Sequence, residues 1–280
     1  MQKSIEVGCN LSYEVRQSTV FLFQISCALT PHQVVDSESL ILNPNLATEA
    51  FSAGIEANRM HRVVVEPCEL NVSYRGNITL TPEIDEPGEV NEASTAHMPP
   101  EVLTYLNPSR YCESDLLGRF AFEEFGHLYR GYSRVQAVCN WVCEHLDYTP
   151  GSTNSSTTAT AVLLQRAGVC RDYAHLAITL CRGLGIPARY VAGYAVNLQP
   201  PDFHGFMEAF LGDRWYLFDP TRLSLVSGLV RIGAGRDAAD VAIATLNGDA
   251  RLLDQQVWAS DVTDPAAGGG AAPESGISTA

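Results

Sequence analysis

The hydrophobic period of this chain changes across a single stretch, IDEPGEVNEASTAHMPP, at 84–100. Before it, SIEVGCNLSYEVR, STVFLFQISCAL, HRVVVEP, ELNVSYRG and NITLTPEI alternate or run apolar between Gly, Asn, Pro and Ser breaks. Successive side chains of a strand face opposite ways, so such segments each bury one face. Residues 1–95 are therefore expected to form an antiparallel β-sandwich. The stretch itself is acidic, rich in Pro, Gly and Ser and without periodicity, which marks a linker and places a domain boundary near residue 95.

After the linker the period becomes helical. Apolar residues recur three and four apart in DLLGRFAFEEFG and SRVQAVCNWVCEHLDY, and again in ATAVLLQRAG after the polar loop TPGSTNSSTTAT at 149–160. A helix is expected from Cys170 to about Leu184, followed by strands around ARYVAGYAV, HGFMEAFLG and RWYLFDP, with Gly212-Asp213 as a hairpin turn. The fold class is thus α+β, with a second domain over 96–262. The remainder, 263–280, is small-residue, low-complexity sequence with too little apolar area to offset its ordering entropy, and is expected to be disordered.

Charge narrows the partners. A formal net charge of −14 repels phosphate backbones and anionic headgroups, so neither nucleic acid nor a membrane is expected as a partner. The opening MQKSIEVGCN has no apolar run of the secretory kind, and no stretch approaches a membrane span, from which a soluble, cytoplasmic protein is expected. Eight cysteines over 280 residues need not be a disulfide framework in that setting.

One of them stands apart. Cys170 follows the break Ala167-Gly168-Val169 and opens RDYAHLAITLCRGLG, whose apolar residues keep helical spacing. A thiol at a helix N-terminus meets unpaired N–H groups and the positive end of the helix dipole, which favour thiolate and can hold an oxyanion. His204 opens the alternating FHGFMEAFL, where an imidazole at a strand entrance can act as a base. Asp219 ends RWYLFD before Pro220, where a carboxylate can accept Nδ1–H from that histidine and leave Nε2 to face the sulfur. With Gly212-Asp213 at the turn, His204 and Asp219 lie eight and seven residues away on paired strands, nearly opposite.

Other polar residues have structural readings. His175 follows Cys170 by five residues, about 500° around a helix, and points away from the thiol. Asp172 suits a first helical turn whatever the chemistry. Cys139 and Cys143, with His145 nearby, share one helix face but lack a second ligand pair, so no metal is expected. No glycine stretch has the strand-loop-helix context that cradles phosphates, and no cofactor is implied.

The motifs GVCRDYAHLAITLCRGLGIPARYVAGY, DFHGFMEA and WYLFDPTR, in this order, resemble the transglutaminase-like core of bacterial proteins described as cysteine proteases. GRDAADVAI resembles a further segment of that family, and LSYEVRQSTVFLFQI is similar to the bacterial transglutaminase-like N-terminal domain. The resemblance implies a papain-like, transglutaminase-like core of helices packed on an antiparallel sheet. It also implies Cys170 as nucleophile, His204 as general base and Asp219 as the residue that orients it. The chain departs from the pattern in having Gly205-Phe206 where Ala-Trp commonly follows the histidine. Tyr148, before the polar loop, is the candidate second oxyanion donor beside the Cys170 N–H.

These residues lead to the expectation of a cysteine enzyme that acts on amide or peptide bonds of a protein or peptide substrate through a thioester, as a peptidase or amidase. Transamidation at glutamine shares the first half-reaction. A non-catalytic binding module on the same scaffold is the alternative of another class.

Overall fold

The computed structural model describes residues 2–263 and 275–280. Six strands come first: β1 (Lys3–Val15), β2 (Thr19–Phe23), β3 (Gln33–Asn43), β4 (Glu49–Ala53), β5 (Asn58–Val65) and β6 (Cys68–Leu80), then the short β7 (Glu83–Asp85). Helices α1 (Ser114–Phe125) and α2 (Tyr132–His145) precede β8 (Asp147–Tyr148), α3 (Ala159–Gln165), β9 (Ala167–Gly168) and α4 (Cys170–Gly183). The chain continues through β10 (Ala188–Ala195), β11 (His204–Leu211), β12 (Arg214–Phe218), β13 (Leu229–Gly235), β14 (Ala244–Asn247), β15 (Ala250–Asp261) and β16 (Gly276–Ser278).

Two four-stranded antiparallel sheets form the sandwich, in the orders β15-β1-β6-β3 and β14-β2-β5-β4. Alternation explains its core. Ile5, Val7, Cys9, Leu11, Tyr13 and Val15 of β1 turn inward with Leu70, Val72, Tyr74 and Ile78 of β6 onto Phe21, Phe23 and Val63. ELNVSYRG and NITL, expected as separate segments, are one strand, because Gly76 continues the pairing with Val7. Gly8 is required where it stands, since a Cβ there would lie 2.2 Å from the Trp258 ring of β15.

The helical half packs on a third antiparallel sheet, ordered β12-β11-β10-β13. Helix α4 lies at its centre. Every residue from Asp172 to Arg182 is buried, as expected of a helix enclosed on all sides. Leu176, Ile178 and Leu180 join Val135, Val138 and Val142 of α2 and Met207, Tyr216 and Phe218 of the sheet in one apolar cluster. Gly185, at φ +79°, ends the helix and turns the chain into Ile186-Pro187 ahead of β10.

Two expectations change. The segment 244–261, assigned to the second domain, returns to the first: β15 pairs with β1 and β14 with β2. The tail, expected to be disordered over 263–280, is ordered at its end, where β16 pairs with β7 and Ile277 is fully buried. The Thr279 carbonyl there accepts from Thr30 Oγ1 at 2.7 Å and Arg231 Nη1 at 3.0 Å. Residues 264–274 of the same expectation lie outside the described residues. No described helix is long and apolar enough to cross a membrane.

Candidate active site

Cys170 is the first residue of α4 and half-buried. Its place is fixed from both sides of the helix start. Asp172 is completely buried and reaches back to accept the Val169 N–H at 2.9 Å, while Thr153 Oγ1 donates to the same carboxylate oxygen at 2.6 Å. Arg171 donates from Nη2 to the other oxygen at 2.9 Å and to the Asn154 carbonyl at 2.9 Å. The polar loop at 149–160 is thereby tied to the helix N-terminus, and Asp172 has the capping role its position implied.

His204 and Asp219 come from the third sheet. Leu211 pairs with Arg214 across the expected turn, where Gly212 adopts φ +60° as the first position of a type II′ hairpin requires. Met207 pairs with Phe218, so the register places Asp219 beside Phe206, not beside His204. The two residues are diagonal neighbours, offset by two positions from the opposite placement expected. Diagonal pairs lie within reach of long side chains. The hydrogen bond is 2.9 Å, between His204 Nε2 and Asp219 Oδ2, with both side chains almost fully buried.

That bond reverses the expected use of the ring. Nε2, not Nδ1, faces Asp219, which leaves Nδ1 for the thiol. Burial opposes protonation of His204, but its bonds to Asp219 and its contact with the Cys170 thiol outweigh burial and raise it to about 10. The imidazolium is therefore the favoured form at neutral pH.

Asp219 serves turn and histidine together. Oδ1 accepts from Thr221 N–H at 3.0 Å and Thr221 Oγ1 at 2.7 Å, and Oδ2 also accepts from Ser224 N–H at 3.1 Å. Behind it, Cys143 of α2 donates to the Thr221 carbonyl at 3.7 Å. Thr221 and Ser224 were not singled out by sequence reasoning. The Asp-Pro-Thr turn was the available signal, since an Asp side chain commonly accepts from the N–H two residues on.

Tyr148 lies beside Cys170. Burial, then the neighbouring Cys170 charge, push its pKa up, so it remains a donor. Its ring packs on Tyr173 at 5.8 Å. His175 is turned away from the thiol. Its Nε2 accepts the Ala238 N–H at 3.1 Å, its ring stacks on Tyr111 at 5.0 Å, and burial pushes it down to about 3. The stretch GRDAADVAI thus anchors α4, with Asp237 also accepting the Tyr111 N–H at 2.8 Å. Cys139 is buried in the core, and among the described residues no group of three or more His, Cys, Asp or Glu side chains is disposed to hold a metal.

Gly205 has a steric cause. A Cβ at this position would lie 2.5 Å from the Tyr190 hydroxyl, which β10 projects over the strand beside His204. Tyr190 is buried and packs on His175 at 5.1 Å. The departure from Ala after the histidine is thus coupled to a tyrosine on the neighbouring strand.

Known proteins resemble this chain in sequence and fold. The family model of the transglutaminase-like superfamily matches residues 124–220, and that of the bacterial transglutaminase N-terminal domain matches residues 3–101. The crystal structure of a "Putative Cysteine Protease" from Cytophaga hutchinsonii is 36% identical, with a TM-score of 0.93 over 99% of each chain. An uncharacterised protein of Mycobacterium leprae is 37% identical over 117 residues, 39% of this chain and 42% of that protein. One from Mycobacterium tuberculosis H37Rv is 38% identical over 109 residues, 34% of this chain and 35% of that protein. The match thus spans less than half the length of these curated relatives. On the strength of the end-to-end likeness and both family matches, this chain belongs to the transglutaminase-like superfamily, with a bacterial transglutaminase N-terminal domain ahead of its core.

Proposed function

We propose that this protein is a cysteine peptidase or amidase that cleaves an amide bond of a protein or peptide through a thioester on Cys170. The observation that carries this reading is the chain of contacts from the Cys170 thiol at the N-terminus of α4, through His204, to the buried carboxylate of Asp219. A thiolate beside an imidazolium is a nucleophile at neutral pH. Its sulfur attacks the carbonyl carbon, and His204 delivers the Nδ1 proton to the departing amine. Water then resolves the thioester with the neutral imidazole as base. Asp219 holds the ring through Nε2 and stabilises its charge, while Thr221 and Ser224 fix the carboxylate.

In this mechanism Tyr148 supplies the second oxyanion donor. Its hydroxyl, kept protonated by burial beside Cys170, is available as a donor alongside the Cys170 N–H. Transfer to an amine in place of water would use the same thioester. The experiment that separates these outcomes is mass spectrometry of casein and glutamine-peptide substrates, with and without an added amine, for the wild type and Cys170→Ala. Cleavage or deamidation lost in the variant supports the hydrolase, and amine incorporation lost in the variant supports transfer. Product formed equally by both proteins would remove Cys170 from the chemistry.

A further inference from the structure

The face of β11 that carries His204 is covered by the segment 275–280. Alternation puts His204, Phe206 and Glu208 on one side of this strand and Met207, Ala209 and Leu211 on the other, where they join the α4 cluster. On the first side Ile277 is buried in an apolar cluster with Phe206, Leu217, Val191 and Leu229. Two residues on, the Thr279 carbonyl accepts from Arg231, whose Nη2 pairs with Glu208. β7 holds the segment along its edge, with Ile84 opposite Ile277.

Phe206 connects this cover to the candidate site. Its ring stacks on the His204 imidazole, with 6.3 Å between ring centres and 25° between the planes. Room for it comes from Gly193 of β10, the residue paired with His204: a Cβ there would lie 2.8 Å from the Phe206 ring. On the other flank Phe206 lies beside Asp219 of the paired chain, and Leu217, two residues before Asp219, belongs to the same cluster.

The hydrogen bond from His204 Nε2 to Asp219 attaches the imidazole at one point, and the tilt that aims Nδ1 at the thiol is left to packing. Close-packed interiors transmit displacement, and deleting buried methylenes leaves a cavity into which neighbours relax only in part. Loss of the Ile277 side chain would let Phe206 draw back from His204, and a misplacement of about 1 Å at a reacting pair costs on the order of 10²-fold.

We propose that Ile277 is a positioning residue: through Phe206 it holds the His204 ring in its working orientation toward Cys170. The inference rests on the reading of Cys170 as nucleophile with His204 as its partner. It gives the 275–280 segment a part in activity beyond the stability it adds to the fold.

The test reads Cys170 alkylation by iodoacetamide, by mass spectrometry at pH 7 and pH 10, for the wild type, Ile277→Ala, Ile277→Val and Leu70→Ala, each checked as folded by circular dichroism. Leu70 is fully buried in the sandwich core, so its substitution opens a comparable cavity away from this cluster. Ile277→Ala is expected to react about tenfold slower at pH 7 and within about twofold of the wild type at pH 10, where hydroxide ionises a thiol without help from histidine. Ile277→Val, which keeps a branched apolar side chain, and Leu70→Ala should stay within about twofold at both. Phe206→Leu should slow the pH 7 reaction to a similar degree, and adding Ile277→Ala to it should cost no more than about twofold further. A wild-type rate at pH 7 in Ile277→Ala, an equal loss in Leu70→Ala, an equal loss at both pH values, or full multiplication of the two losses in the double variant would each overturn the role. Should Ile277→Ala not fold, Ile277→Thr, which keeps the β-branched shape and removes apolar contact, is read in its place with the same expected direction. If wild-type Cys170 labels no faster at pH 7 than the other seven cysteines, the nucleophile itself fails, and the positioning role with it. Fast wild-type labelling that Ile277→Ala leaves unchanged removes only the positioning role.

Discussion

His204 carries two opposing influences, and their balance sets how the site responds to pH. Burial alone would keep the ring neutral, as it does His175 on the adjacent helix. The difference is the partner: His175 receives a backbone N–H, whereas His204 meets a carboxylate and a thiol. Raised from 6.5 to about 10, His204 contributes stability that is fully present below 6.5 and lost as pH rises toward 10. The difference in Tm between wild type and His204→Ala should therefore shrink across that window. Amide cleavage, which needs the protonated ring for the leaving amine, should likewise hold through neutrality and fall as pH approaches 10. Asp219→Asn removes the charge that supports the imidazolium. It is expected to lower kcat/KM on the order of 10²–10⁴-fold and to shift the alkaline limb of the profile downward, both read from pH–rate curves. An unshifted limb would mean that Asp219 does not govern the ring.

At the scale of elements, two local fits hold the site together. The first is the start of α4, where Asp172 caps Val169 and gathers Thr153 and Arg171. Asp172→Ala leaves a part-buried N–H without its acceptor and releases the 149–160 loop, and should cost about 1–3 kcal/mol, measured by denaturant unfolding. The second is the pairing of β10 with β11. Gly205→Ala drives a methyl group into the Tyr190 hydroxyl and should destabilise by about 1–3 kcal/mol. Tyr190→Phe removes the 2.5 Å contact and leaves ring atoms at 3.1 Å, so the double variant should recover most, not all, of that loss. Additive effects of the two substitutions would show that the positions are not coupled.

At the scale of the molecule, the two halves share structure. Strands β14 and β15 arise beyond the third sheet yet complete both sheets of the sandwich, and Tyr194, Val230 and Ile232 of the third sheet enter the sandwich core. Arg189 adds a polar tie, donating to Glu208 at 2.6 Å and to Glu56 of the sandwich at 2.7 Å, while Arg231 pairs with Glu208 from the other side. Truncation after Ile243 opens the edges of β1 and β2 and should yield insoluble protein, as unpaired edges do. Truncation after Thr263 keeps both sheets. It removes buried Ile277 and the carbonyl that Arg231 uses, worth about 2–4 kcal/mol together. A fall in Tm of roughly 5–10 °C is expected by calorimetry. An unchanged Tm would show that β16 adds nothing to the fold.

Much of this was legible along the chain. The change of period at 84–100 separated strand-rich from helix-rich sequence, the Gly212-Asp213 pair marked its hairpin, and the break before Cys170 placed the thiol at a helix start. Each of these signals is local: a side-chain period, a positive φ, a cap. What stayed hidden is what distant segments decide together. β3 and β15 bury few of their residues, so they carry no alternation to announce them, and only their pairing with β6 and β1 makes them strands. The linker expected at 84–100 contains part of β7, which finds its partner in β16 nearly 200 residues later. The two-residue offset between His204 and Asp219 was already implied by the turn, His204 being eight residues before Gly212 and Asp219 six after Asp213, but which ring nitrogen meets the carboxylate was not. The sequence by itself brought forward the candidate site residues and the local conformations that present them. Only the tertiary structure decided which atoms meet, because hydrogen bonds act over about 3 Å while sequence patterns place side chains by face alone.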